Sequence, residues 1–275
     1  MNETTRQGDR LLVFGDDGSA GADVAWMWVC NHRWPQWRAE VLTATPPPIP
    51  PPPPDHRAEL TEWDSTHPRL LVAQTELGSV RTLTIAQDPR LMLGRRGDAD
   101  LIVVGPRNLS RTRALMLGST TEWILHHPPA PLAIIRSATP VRRVIACIDG
   151  SAHALHALRA FTLLPLAVDT EVVIVRVDDG RADTEAGIRR AVDTLEAVGA
   201  TAVVDTIEGK PTETILDLID AFNPQLVVLG TRGLTGWKRL RLGSTAGAVV
   251  RSAPCSILVA CADDATDTET RVGGA

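Results

Sequence analysis

LVVLGTRGLTGWKRLRLGST, residues 226–245, begins as a strand and ends as a helix. Its apolar run stops at Gly230, as a short buried strand does. A loop spaced by Gly230, Gly233 and Gly243 follows, carrying Arg232, Lys238, Arg239 and Arg241. Gly243-Ser244-Thr245 then opens a helix. Glycines let backbone N–H groups approach an anion closely. The first turn of a helix adds unpaired N–H groups and the positive end of its dipole. Ser244 and Thr245 add hydroxyls. A loop so built suits a phosphate.

The flanking chain alternates strand and helix. RRVIACIDGS (142–151) reads as a strand ending at Asp149, and AHALHALRAFTLLPL as the helix after it. TEVVIVRVDD is a second strand, and TEAGIRRAVDTLEAVG a helix closed by Gly199 at its C′ position. ATAVVDTIEG is a third strand. Pro211 starts a helix whose Ile215, Leu218, Ile219 and Phe222 fall on one face. CSILVACA is the fifth strand, after the helix at Ser244. Continuously apolar strand interiors, such as 172–175, mark a parallel sheet covered on both faces. Right-handed crossovers favour a doubly wound order, 3-2-1-4-5.

The first half repeats the plan. RLLVFGDDGS (10–19) matches RRVIACIDGS, ADLIVVGPRN (99–108) matches PQLVVLGTRG, and LMLGSTTEWIL (115–125) matches LRLGSTAGAVV. VRTLTIAQDP and APLAIIR match the third and fifth strands of the second half. Two tandem α/β domains are expected, over 1–138 and 139–262, with a polar tail at 263–275 predicted disordered. The first copy carries a proline run at 45–56, either a stiff surface loop or a polyproline segment that a partner reads.

The 275 residues suffice for two cores, and the net charge of −5 argues against a general nucleic-acid binder. The four cysteines are dispersed, with no CxxC pair and no zinc spacing. They read as buried thiols of a reducing compartment. No apolar run spans a membrane, and the first residues lack the apolar core of a signal peptide. A soluble cytoplasmic protein is expected. Among the seven tryptophans, Trp26, Trp28, Trp34 and Trp37 crowd the first helix of copy one, as core packing or as an exposed interface. His153 and His156 are three apart on a helix, with no third metal ligand in sight.

In such sheets a ligand lies at the carboxyl ends of the strands where their order reverses. Asp149 and Gly230 therefore face each other across the crevice of copy two. No Walker or G-x-G-x-x-G signature is present. Gly230-x2-Gly233-x9-Gly243-Ser244 instead resembles the ATP-binding motif of universal stress proteins, and Asp149-Gly150-Ser151 resembles the D-G-S after their first strand. The tandem arrangement, covering roughly residues 8–262, is similar to many actinobacterial members, and the fold to that of adenine nucleotide alpha-hydrolase-like proteins.

The resemblance implies ATP with Mg²⁺. By position, Asp149 would meet adenosine, main chain at Val175 and Arg176 the adenine, and Gly230 the ribose side. Gly233, Gly243, Ser244 and Thr245 would hold the phosphates. In copy one the matching residues are Asp17, Gly105, Gly118, Ser119 and Thr120, but Asn108 replaces the second glycine. The proline run also begins where adenine would sit.

Plainer roles stand beside these. Asp17 and Asp149 suit a helix start with Ser19 or Ser151 as N-cap, and Gly243-Ser244 suits a structural cap. The loop arginines suit a solvated face. Three functions remain open: an ATP-binding regulator of a stress or growth state that acts on an unknown protein partner, a slow ATPase or nucleotidyl transferase, and an interaction module without nucleotide. No catalytic set is legible. The fifth strands, as sheet edges, are expected to pair with each other into a pseudo-dimer within the chain, and two chains are then open to association as a homodimer through fifth strands.

Overall fold

The computed structural model describes residues 10–45, 61–62, 77–106, 117–126, 128–178, 185–231 and 242–261. Copy one comprises β1 (Arg10–Asp16), α1 (Ala20–Cys30), β2 (Trp34–Thr45), β3 (Thr61–Glu62), β4 (Leu77–Ala86), α2 (Pro89–Gly94), β5 (Leu101–Val104), α3 (Ser119–His126) and β6 (Leu132–Ile134). Copy two comprises β7 (Arg143–Cys147), α4 (Ala152–Thr162), β8 (Glu171–Asp178), α5 (Glu185–Glu196), β9 (Thr201–Glu208), α6 (Pro211–Phe222), β10 (Leu226–Gly230), α7 (Ser244–Ser252) and β11 (Ser256–Ala260).

All strands join one eleven-stranded sheet, ordered β3-β4-β2-β1-β5-β6-β11-β10-β7-β8-β9. Within each copy the order is the expected 3-2-1-4-5, and the pairings among those five strands are parallel. The copies meet through antiparallel pairing of their fifth strands, with Ile134 opposite Ile257 and Ala133 opposite Leu258. That pseudo-dimer leaves no open edge on either fifth strand. A homodimer through fifth strands therefore lacks its template: β6 lies between β5 and β11, and β11 between β6 and β10. Two-residue β3, after the proline run, pairs antiparallel to the outer edge of β4. The run itself, after Thr45, lies outside the described residues.

Both faces of the central strands are buried, and strand parity divides them. Leu12, Phe14, Val144, Ala146, Leu226 and Val228 pack on one face with helices α1, α4 and α5. Leu11, Val13, Ile145, Val227 and Leu229 pack on the other with α2, α3, α6 and α7. Each of these side chains larger than Ala146 contributes roughly 1.5–3 kcal/mol on burial. Helix signals act where the sequence places them. Pro211 opens α6, Ile215 and Ile219 are its buried face, and Gly199 takes φ +81 after α5. Ser19 and Ser151 accept the N–H groups of Ala22 and Ala154 as N-caps.

The tryptophan cluster is core, not interface: Trp26, Trp28, Trp34 and Trp37 are each at most 2% exposed. Trp34 and Trp37, an odd distance apart, would point to opposite faces of a regular strand. A register irregularity between Trp34 and Arg38, where Gln36 has φ +65, shifts the parity and turns both rings inward. Their centroids lie 5.3 Å apart, and Trp28 meets Trp34 edge-on at 5.8 Å.

Side chains also cross the junction between copies. The Arg136 guanidinium donates to the carbonyls of Val250 and Cys255 at 2.6 and 3.1 Å. Buried His32 accepts the Val141 N–H on Nε2 at 3.0 Å, with Nδ1 against the Trp28 carbonyl at 2.7 Å. Arg251 pairs with Glu122 across the junction, and Asn31 donates to the Ala138 carbonyl where the chain passes between the copies.

Candidate functional site

In copy two the crevice lies past the ends of β7 and β10. Ile148 donates to the carbonyl of Val175 at 3.0 Å, so the end of β8 lies beside the chain leading into Asp149. Val175 itself is 2% exposed, main chain included. Asp149 is half-buried, and its Oδ1 accepts the Ser151 N–H at 3.0 Å. Gly150, at φ +79, makes the turn, and Ser151 caps α4. The helix-start role of Asp149 is thus real, and the same turn holds its carboxylate at the crevice.

Gly230 serves packing. A Cβ there would lie 2.6 Å from the Ala154 nitrogen, so β10 ends against the first turn of α4. The next residue, Thr231, is fully buried. Its N–H donates to the Ala260 carbonyl at 3.0 Å, and its carbonyl accepts the Gly243 N–H at 2.6 Å. Its hydroxyl sits 3.5 Å from Nδ1 of buried His153. One residue therefore anchors strand four to strand five and joins both ends of the glycine loop. Thr231 did not stand out in the sequence, and His153 did so only as one of a histidine pair, although the repeat places Pro106 and Gly21 opposite them.

Gly243 is the N-cap of α7, in extended conformation. Ser244 is exposed and Thr245 half-buried, at the turn whose N–H groups have no partner within the helix. Gly233, Arg232, Lys238, Arg239 and Arg241 lie outside the described residues. Backbone donors, two hydroxyls and a carboxylate across the crevice match a nucleotide's phosphates and ribose in chemistry. Among the described residues no three His, Cys, Asp or Glu side chains gather to hold a metal ion. A divalent ion would need phosphate oxygens as ligands.

The crevice of copy one is built from the same parts with one junction changed. Asp17 accepts the Ser19 N–H at 3.0 Å, Gly18 has φ +69, and Gly118 precedes α3. Ser119 is exposed, and Thr120 half-buried. Gly105 abuts α1 as Gly230 abuts α4: its Cβ would lie 2.3 Å from the Gly21 carbonyl oxygen. Pro106, however, has no N–H to give the fifth strand, and its carbonyl oxygen lies 1.7 Å from where a Cβ of Gly21 would be. The chain leaves β5 lying on the helix, over ground that His153 occupies in copy two. Asp16, at the place of Ile148, is buried and accepts the Gly18 N–H. Asn108 and the arginines of this loop lie outside the described residues.

Cys147 ends β7, just before the crevice of copy two. Burial pushes the Cys147 thiol far above its ordinary range, and that of Cys255 up to about 11. Among the described residues no helix is long and apolar enough to cross a membrane.

Compared with known proteins, the chain matches the universal stress protein family twice, over residues 10–136 and 140–260. The chain belongs to the universal stress protein family. A universal stress protein of Mycolicibacterium smegmatis is 23% identical over 288 residues, covering 90% of this chain and 96% of its own. A universal stress protein from Thermus aquaticus is 29% identical over 133 residues, 43% of this chain and 97% of that protein. Among solved structures, a universal stress protein from Archaeoglobus fulgidus superposes with a TM-score of 0.62 over 93% of this chain and 97% of its own, at 19% identity. That likeness confirms the fold.

Proposed function

We propose that this universal stress protein binds one adenine nucleotide per chain, ATP with Mg²⁺, in the crevice of copy two. The main support is the bond from Gly243 N–H to the Thr231 carbonyl, which brings the start of α7 to the end of β10. By the rule for open parallel sheets, that closure would turn the free N–H groups of α7 toward the crevice that Asp149 edges, where phosphates and a ribose hydroxyl could be held together. Ser244 and Thr245 would take the phosphates, with Gly243, whose N–H is bonded to Thr231, allowing close approach at the cap. Gly233 and the loop cations are proposed to add to the phosphate site. Asp149 would accept a ribose or adenine hydrogen, and main chain at Val175 would edge the base. Bound Mg²⁺ supplies charge neutralisation to the triphosphate, and this chain's residues bind and orient the nucleotide.

Copy one is proposed as a scaffold, because Pro106 rests on Gly21 of α1 and has no N–H to give the fifth strand. With no general base identified at the crevice, occupancy rather than turnover is the signal, and a protein partner in a stress or growth response reads it. Calorimetric titration of ATP with Mg²⁺ tests this. Saturable binding near one per chain is expected, with ADP release at buffer background. Absence of binding overturns the proposal, and steady ADP release would make the protein an enzyme instead.

A further inference from the structure

The sheet has two ends, and they are finished differently. In copy one, β3 lies antiparallel along the outer edge of β4, Thr61 opposite Thr84 and Glu62 opposite Leu83. The equivalent strand of copy two, β9, closes the sheet order with β8 as its neighbour on the inner side and, among the described residues, no strand on the outer. Its sequence, TAVVDTIE, is rich in β-branched residues. Val203 is 51% exposed and Val204 42%, among the most exposed large apolar residues described. Being adjacent on a strand, they expose apolar surface on both faces.

Backbone geometry says which groups the edge offers. Thr201 N–H donates to the Thr170 carbonyl and Gly209 N–H to that of Asp178, so odd-numbered residues turn their backbone groups toward β8. Ala202, Val204 and Thr206 therefore turn theirs outward, a row of donors and acceptors that another strand can pair with.

We propose that β9 is a self-association edge, and that its occupant is β9 of a second copy of this chain, antiparallel about a two-fold axis at Val204. Charge selects that register. Centring on Asp205 would set two carboxylates directly opposite each other, which is repulsive. Centring on Val204 places Val204 against the partner's Val204, Ala202 against the partner's Thr206, and Val203 against the partner's Asp205. No like charges meet, all three outward residues bond, and both exposed valines are covered. The chain already uses antiparallel strand addition twice, at β3–β4 and at β6–β11. This pairing would repeat it between copies and continue the sheet through both chains.

Sedimentation equilibrium of the full chain, with two variants, tests the proposal. Wild type is expected to dimerise with rising concentration. Val204→Pro removes an outward N–H while sparing the β8 ladder, and is expected to stay monomeric with an unchanged circular dichroism spectrum. Should the proline disturb folding, Val204→Cys decides independently. Paired residues with mutually bonded backbones lie about 5.5 Å apart at Cα, within disulfide reach. Mild oxidation should then give a covalent dimer absent from wild type, whose cysteines are Cys30, Cys147, Cys255 and Cys261. A wild type monomeric at every concentration, a Val204→Pro variant as dimeric as wild type, or no added cross-link in Val204→Cys would each overturn it.

Discussion

The Gly243 N–H lies 2.6 Å from the carbonyl oxygen of Thr231, and this bond links the end of strand β10 to the cap of helix α7. Its counterpart position in copy one is Pro106. Thr231→Pro should transplant that difference. The variant loses the N–H bonded to Ala260 at 3.0 Å, a cost of about 1–3 kcal/mol. If the loop exit also shifts, ATP affinity should fall at least about tenfold, or some 1.4 kcal/mol. Thr231→Val keeps both backbone groups and should bind nearly as wild type. Calorimetric titration of the two variants separates backbone from side chain.

Close packing of strand ends on helices predicts where glycine is indispensable. Gly230→Ala would press a Cβ to 2.6 Å from the Ala154 nitrogen, so a loss on the order of 1–3 kcal/mol is expected in urea denaturation. Gly21→Ala meets the Pro106 oxygen at 1.7 Å and should cost more. Gly18 is limited by conformation, not space: φ is +69 and no atom lies within 4 Å of its Cβ position. Gly18→Asn should be milder than Gly18→Ala, because Asn tolerates the left-handed region.

The cations at the junction should rank by burial. Arg136 donates to Val250 and Cys255 from a largely buried position, where desolvation holds its pKa below the ordinary value. Arg136→Met leaves two carbonyls without that donor and should cost about 1–3 kcal/mol. Arg251, paired with Glu122, has a side chain 48% exposed, and Arg251→Ala should cost under about 1 kcal/mol. Urea denaturation of both variants checks the order.

Acid should weaken the junction through His32. Burial, chiefly, lowers its pKa from 6.5, with the Arg142 charge acting in the same direction and the Trp28 hydrogen bond opposing. The folded state holds the neutral ring, which accepts the Val141 N–H on Nε2. The unfolded chain binds the proton more readily, so stability is full above about pH 6.5, the unfolded value, and falls as pH drops below it. In His32→Gln that component should vanish. Denaturation midpoints at pH 7.5 and 5.5 should diverge more in wild type than in the variant.

The order of the sheet was legible because β7, β10 and β11 are continuous apolar runs, and because the halves repeat. Pro211, Gly199, Ser19 and Ser151 act locally, and their roles could be read locally. The Trp34–Trp37 pair was not legible: a bulge at Gln36 alters strand parity, and no residue type there signals positive φ. Nor was β3, two residues after a proline run with no periodicity of their own. At the crevice, the glycine spacing marked the loop, but not the packing of Gly230 on α4. Thr231 became visible only when its partners Ala260, Gly243 and His153, distant in sequence, were brought beside it.

The most direct test counts nucleotide on the protein as purified, by denaturation and chromatography, beside Gly243→Val and Gly118→Val. One adenine nucleotide per chain is expected, lost in Gly243→Val and retained in Gly118→Val. Two per chain, or loss in Gly118→Val with retention in Gly243→Val, would contradict a single site in copy two. None in wild type, with no uptake of added ATP and Mg²⁺, would leave the glycine loop a structural cap.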